Sequence, residues 1–394
     1  MTMKKTRPDP STALIHHAYE PPAGFVAPQV GVYKASTVIF PSMAALRARN
    51  WKSKAGYTYG LHGTPTSFTL EERIATLEGG LQTLLVPSGL AAIALTDLAL
   101  LRHGDELLIP DNAYGPNREL ARNELAGWGI GHRSYDPMDA AAFASAFGPA
   151  TKLVWIEAAG SVTMEFPDVR ALVRIAHEHG ALVAVDHTWG AGIAFDPFEL
   201  GADIAVQALT KYPSGGGDVL MGSVTTRDEA LHLKLKFAHM RMGWGVGAND
   251  VEAVLRSLPT LALRYRAQDE AARTLARWWQ AQPQAAQVLH PALPGSSGHE
   301  HWQTLCTQAA GLFSVVFDER FSMAQVDAFC DALKLFKLGY SWAGPVSLAV
   351  PYDLKVIRPG SGRTNMLVRF SLGFEAVDDL IADCAQALQA SGLR

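Results

Sequence analysis

The chain has 394 residues, 48% of them hydrophobic and 18% charged, with a formal net charge of −4. That composition supports a large core, suits two domains rather than one, and excludes a disordered chain. A balanced charge with no basic block argues against a nucleic-acid partner.

Three widely spaced cysteines, Cys306, Cys330 and Cys384, form no C-x-x-C pair and read as reduced thiols of a cytoplasmic protein. The first ten residues carry positive charge with no apolar run behind them, so no secretory leader is expected. No apolar run approaches the ~18 residues of a membrane span. The thirteen histidines include no H-E-x-x-H, and His177 and His179 flank Glu178 at a spacing that faces different ways on a helix. No metal site is expected.

Residues 1–60 have weak periodicity and many Gly, Pro and Ser, and read as an extended N-terminal arm. From 61 to 255 strands and helices alternate. L-L-V-P (84–87) runs into an apolar helix, 88–101, and E-L-L-I-P (106–110) into D-N-A-Y-G-P-N-R-E-L (111–120). K-L-V-W-I-E (152–157) precedes a helix opened by Asp168 and stopped by Gly180. A-L-V-A-V-D (181–186) and D-I-A-V-Q-A-L-T (203–210) follow. Continuous apolar strands alternating with helices predict an α/β domain with a mainly parallel sheet covered on both faces. A helical stretch over 249–282 contains Pro259, which should bend or break it. Strand patterns at 311–317 and 366–372 and a helical repeat at 376–388 predict a smaller α+β C-terminal domain, 256–394.

Ligands on such sheets sit beyond the carboxyl ends of the strands, and Ser88, Asp186 and Lys211 all fall there. Ser88-Gly89-Leu90 opens a helix, whose first-turn amides favour an anion such as a phosphate. Thr210 precedes Lys211 and could meet the same phosphate. Tyr114 follows the strand 106–110 and could stack on a flat ring. An aspartate closing one buried strand and a lysine closing the next suit pyridoxal phosphate: the amine condenses with the cofactor aldehyde, and the carboxylate keeps the pyridine nitrogen protonated. Taken singly, each residue has a plainer reading: an exposed lysine, a turn-capping aspartate, a serine N-cap, a packed tyrosine.

Many separated motifs occur together in order. They include Y-G-L-H-G-T-P-T (59–66), P-S-G-L-A-A (87–92), D-N-A-Y-G-P (111–116), W-I-E-A-A-G-S-V-T-M-E (155–165), D-H-T-W-G-A-G (186–192), Q-A-L-T-K-Y (207–212), Y-S-W-A-G-P-V-S-L (340–348) and L-V-R-F-S-L-G-F-E (367–375). From about residue 10 to its end the chain resembles the Cys/Met metabolism family of pyridoxal phosphate enzymes, the trans-sulfuration enzymes. The resemblance implies an aspartate-aminotransferase-like fold (fold type I). It also implies that Lys211 attaches the cofactor and moves protons, that Asp186 pairs with the pyridine nitrogen, and that Tyr114 stacks on the ring. Ser88, Gly89, Leu90 and Thr210 would hold the phosphate, and Tyr59 would reach the phosphate of a neighbouring copy, which implies a homo-oligomer, a dimer of active sites and usually a tetramer. Arg369 would grip the substrate α-carboxylate, helped by Ser341 in the segment Tyr340-Ser341-Trp342. The implied reaction is β-elimination from L-cystathionine. Alternatives are γ-elimination or γ-replacement, cysteine desulfhydration, and a non-catalytic protein on the same fold.

Two positions depart from the family pattern. Leu61 stands where most members have arginine, which removes a cation from the phosphate and distal-substrate region. Ala208 stands where serine is common, which removes one hydroxyl contact.

Overall fold

A computed structural model of the chain describes residues 9–17, 19, 21–360, 362 and 364–393. The first eight residues, on which the reading of the N-terminus rests, lie outside these. Between Asp9 and Gly60 the regular pieces are two short helices, Pro10–Ile15 and Met43–Arg47.

Seven strands then build the first sheet: β1 (Gln82–Val86), β2 (Glu106–Pro110), β3 (Gly131–Tyr135), β4 (Thr151–Glu157), β5 (Leu182–Asp186), β6 (Ile204–Ala208) and β7 (Gly222–Thr226). Their order is β1-β7-β6-β5-β4-β2-β3. The five strands from β6 to β3 pair in parallel, as their apolar runs predict. β7 is antiparallel to both β1 and β6. Its sequence, G-S-V-T-T, lacks the apolar run of its neighbours, yet all five residues are buried. Hydroxyls make that possible. Thr225 shares a 2.8 Å hydrogen bond with Thr83, and Thr226 donates to the Asp203 carbonyl at 2.8 Å, so both threonine hydroxyls are paired, while the Ser223 hydroxyl is buried without a partner among the described residues.

The helix Gly89–Leu100 lies against β6 and β7 and is mostly apolar. Its one acid, Asp97, accepts from Trp155 Nε1 at 2.9 Å, and burial pushes its carboxyl up to about 8, so the neutral acid predominates at pH 7.

The predicted break at Pro259 is present. Helix Ala248–Ser257 passes through a 3₁₀ turn, Leu258–Thr260, into helix Leu261–Gln280. Beyond it lie β8 (Ala285–Leu289), β9 (Leu312–Phe317), β10 (Lys337–Leu338), β11 (Leu348–Asp353) and β12 (Met366–Ser371), ordered β10-β11-β12-β9-β8. The second sheet is antiparallel except for β10 with β11.

Period-two alternation sorts this sheet's two faces. Phe313, Val315, Phe317, Val368 and Phe370 pack with Trp279, Phe329 and Leu380 of the covering helices. Leu312, Val316 and Leu367 pack the other way, into the apolar cluster that contains Leu258, Leu261, Tyr265 and the first sheet's Leu108, Val154 and Val185. Arg369 shares the parity of Leu367 and is therefore aimed at the first sheet. No helix among the described residues is long and apolar enough to cross a membrane.

Candidate functional site

A cavity of 630 Å³ opens where the carboxyl ends of β1, β4, β5 and β6 meet the second sheet. Lys211, Asp186, Tyr114, Ser88, Gly89, Leu90, Thr210, Tyr340, Ser341, Trp342 and Arg369 all line it. Residues that sequence reasoning could only align along a rim, or draw from the last third of the chain, therefore share one space.

Lys211 stands three residues past β6 in a tightly held turn. Its carbonyl accepts from the Gly215 amide at 2.8 Å, and the Thr210 hydroxyl is tied to the Met221 amide at 3.2 Å. The neighbouring Tyr212 is fully buried, and its hydroxyl accepts from the Gly311 amide at 2.6 Å, which pins the turn to the second sheet. Lys211 Nζ donates to Ser341 Oγ at 2.7 Å and lies 5.3 Å from the Trp342 ring centroid. Ser341 holds φ at 101°, a region costly for any residue with a Cβ. Burial, with the Arg369 charge in support, lowers the Lys211 amine to about 8, while Asp186 pulls it upward. Much more of it is therefore neutral near pH 7 than for an exposed lysine.

Asp186 is the last residue of β5. Its Oδ1 accepts from the Thr188 amide at 3.0 Å and the Thr188 hydroxyl at 2.6 Å. That hydroxyl in turn accepts from the Ala208 amide at 2.9 Å, so the acid is fixed relative to the strand that leads to Lys211. Burial raises the Asp186 carboxyl above its usual range, opposed by these Thr188 hydrogen bonds. Register places Glu157 directly across from Asp186 on β4. Glu157 Oε2 accepts from the Tyr114 amide at 2.7 Å, which fixes the start of the helix Gly115–Leu120. Burial, then the Asp186 charge, raises Glu157 well above the carboxylate range.

Ser88 caps the helix Gly89–Leu100 through its Oγ, which accepts from the Ala91 amide at 3.0 Å. A Cβ on Gly89 would lie 2.6 Å from the Ala208 Cβ, and one on Gly222 would lie 2.2 Å from the Ser88 carbonyl. Only glycine lets β6 and β7 press this close to the first-turn amides. Ala208, one of the two departures, is thus also the residue against which Gly89 packs.

Arg369 is buried. It donates to the Ser341 carbonyl at 3.3 Å, its Cζ lies 5.7 Å from the Tyr352 ring centroid, and its Nε donates to nothing among the described residues. Burial lowers its pKa, with Tyr352 opposing. A cation kept this dry with spare donors suits an arriving carboxylate.

The arrangement fits pyridoxal phosphate. A glycine-gated helix N-terminus offers amides to a phosphate, Asp186 offers an acid to a ring nitrogen, and Lys211 offers an amine of lowered pKa. Tyr59 does not line the cavity; it is half-exposed and bridges Thr37. Leu61 faces a separate cavity of 470 Å³ with His62, Lys236 and His239. Sequence reasoning gave no role to Glu157, Arg118, Tyr352 or Arg358, all of which line the Lys211 cavity. Glu157 lies inside the motif 155–165 and Arg118 two residues past the motif 111–116, whereas Tyr352 and Arg358 carry no local signal. Among the described residues no cluster of His, Cys, Asp or Glu could hold a metal ion.

Replacing Arg369 with methionine should raise the Lys211 pKa above about 8, because a like charge is removed. Amine modification of the cofactor-free protein across a pH series, quantified by peptide mapping, measures this. An unchanged or lowered midpoint would contradict the electrostatic coupling.

The comparisons with known proteins agree with this geometry. The family model for Cys/Met metabolism PLP-dependent enzymes matches residues 11–389. The chain is 37% identical to the cystathionine beta-lyase of Bordetella avium, covering 94% of each chain. It is 36% identical to that of Salmonella typhimurium, over 90% of this chain and 91% of that one. The crystal structure of metB from Corynebacterium glutamicum superposes with a TM-score of 0.90 at 28% identity, covering 98% of this chain and 99% of that one. The chain belongs to the Cys/Met metabolism family of pyridoxal-phosphate-dependent enzymes.

Proposed function

We propose that this protein is a carbon–sulfur lyase that cleaves L-cystathionine by β-elimination, giving homocysteine, pyruvate and ammonia. The observation that carries the reading is the 2.7 Å contact between Lys211 Nζ and Ser341 Oγ, with Arg369 on the Ser341 carbonyl. The base and the carboxylate grip are thereby joined through one residue. The names of the Bordetella and Salmonella relatives support cystathionine and Cβ cleavage.

Pyridoxal phosphate, when bound, supplies a ring that stabilises negative charge at the substrate Cα. Arg369 holds the α-carboxylate in a bidentate grip, which turns the Cα–H bond toward Lys211. Lys211 takes that proton as a neutral amine, a state its lowered pKa favours. Asp186 would keep a proton on the ring nitrogen. Tyr114 would cover the ring face, its phenol kept protonated by burial. The Cβ–S bond then breaks, Lys211 returns a proton to the thiolate, and water releases ammonia and pyruvate from the remaining three-carbon fragment. Ser88, Gly89, Leu90 and Thr210 would hold the phosphate, and Tyr340 and Trp342 would wall the substrate side.

Tyr59 lies away from its own chain's cavity, which suits a contact with the phosphate of a second copy. The arm exposes Phe25, Val26 and Ile39, apolar surface that a second copy would cover. We infer a cytoplasmic homo-oligomer, a dimer of active sites and a tetramer in its full form. Loading the protein with cofactor and L-cystathionine and identifying the keto acid tests the reaction. Pyruvate is expected. 2-Oxobutyrate as the main product would overturn β-cleavage.

A further inference from the structure

Two arginines in the cavity have no part in the chemistry above. Lys211, Arg118, Arg358 and Arg369 line it against only two carboxylates, Glu157 and Asp186. Four cations thus line the cavity against two carboxyls, while Asp111 and Glu165 stand near Arg118 and Arg358 outside the lining. Lys211 and Arg369 serve the amine and α-carboxylate end. Arg118 and Arg358 remain.

Arg118 sits on the helix Gly115–Leu120, four residues after Tyr114 and thus on a neighbouring helical face. It donates from Nη1 to the Asp111 carbonyl at 3.0 Å, and from Nη2 to the Ile357 carbonyl at 3.5 Å, the outer limit of such a bond. It makes no ion pair among the described residues, and its Nε is shielded from solvent without an acceptor. A guanidinium has five N–H donors, so Arg118 is braced but far from saturated. Arg358 beside it is held by the Ser161 carbonyl at 2.7 Å and the Thr163 hydroxyl at 2.8 Å. Arg118, with its spare donors and with Arg358 bracing the same lining, forms a carboxylate-recognising end apart from Arg369. Leu61, where the family pattern has a cation, faces the other cavity and supplies no charge here.

We infer that Arg118, supported by Arg358, is a specificity-determining residue that binds the distal carboxylate of a dicarboxylic substrate. The inference rests on the reading of the protein as a lyase of thioether amino acids. It selects substrates with carboxylates at both ends over those with one.

The test compares kcat/KM for L-cystathionine with that for S-methyl-L-cysteine, which lacks the distal carboxylate. In Arg118→Gln the ratio of the two should fall about tenfold to a hundredfold, the value of a charge-assisted contact, mainly through KM for cystathionine. Arg118→Lys should give an intermediate ratio, because ammonium keeps the charge without the fork. A proportional loss on both substrates, or an unchanged ratio in both variants, would overturn the inference and leave Arg118 as a brace. Calorimetric binding of adipate against valerate to the cofactor-loaded protein gives an answer that needs no turnover. The native protein should prefer adipate, and Arg118→Gln should lose that preference. Equal preference in the two proteins sinks the role of Arg118 even if cystathionine is cleaved. Formation of 2-oxobutyrate sinks the β-lyase reading while the adipate contrast still decides Arg118.

Discussion

Lys211→Ala should abolish covalent cofactor attachment and lower turnover at least about a thousandfold, within the range seen when a positioned acid–base group is lost. The fold should survive. The turn is held by the Tyr212 hydroxyl on the Gly311 amide and by the Gly215 amide on the Lys211 carbonyl, neither of which uses the lysine side chain. The Ser341 Oγ and Trp342 ring contacts are lost, and Ser341 keeps the Arg369 guanidinium on its carbonyl. Borohydride reduction of the loaded native protein followed by peptide mapping should label Lys211, and the visible absorbance of that protein should be missing in the variant. A label on another lysine would refute the assignment.

Asp186→Asn should lower turnover by about tenfold to a hundredfold or more, the value of a charge-assisted hydrogen bond. Asparagine can still accept from the Thr188 amide and hydroxyl through its Oδ1, so the chain from position 186 through Thr188 to Ala208 can persist. The carboxylate charge alone is removed. That charge raises the Lys211 pKa, so the lysine midpoint in the cofactor-free variant should fall below about 8. This shift is opposite in sign to that expected on removing Arg369, and the two together separate electrostatic coupling from general damage. Turnover near the native level would refute the role given to Asp186.

Much of the scaffold was readable because a parallel strand buried on both faces must be an apolar run. The predicted strand at 106–110 matches β2, and those at 152–157, 181–186 and 203–210 match β4, β5 and β6 to within one or two residues at each end. β7 was not readable. Its two buried threonine hydroxyls are paired by Thr83 and by the Asp203 carbonyl, partners that only the folded sheet brings within reach. The β3 segment, G-H-R-S-Y, likewise carries mostly exposed residues and leaves no apolar signature at the edge of the sheet.

The residues of the site divide in the same way. Ser88, Asp186 and Lys211 announce themselves through local pattern, because a strand that ends at a polar residue before a helix or glycine turn marks the rim of an α/β sheet. Their individual environments do not. The lowered amine of Lys211 depends on burial and then on Arg369, which is 158 residues away in the chain and arrives on a strand of the second sheet. Glu157 reads as one more strand-end acid until register sets it opposite Asp186 and its carboxyl takes the Tyr114 amide. Arg118 and Arg358 are 240 residues apart in the chain, and only the packed structure brings both to the lining of one cavity. Periodicity is a property of neighbours in sequence, and it determined the layers and the rim. Charge balance and desolvation are properties of neighbours in space, and only the packed tertiary structure decided which cations the cavity keeps for a carboxylate.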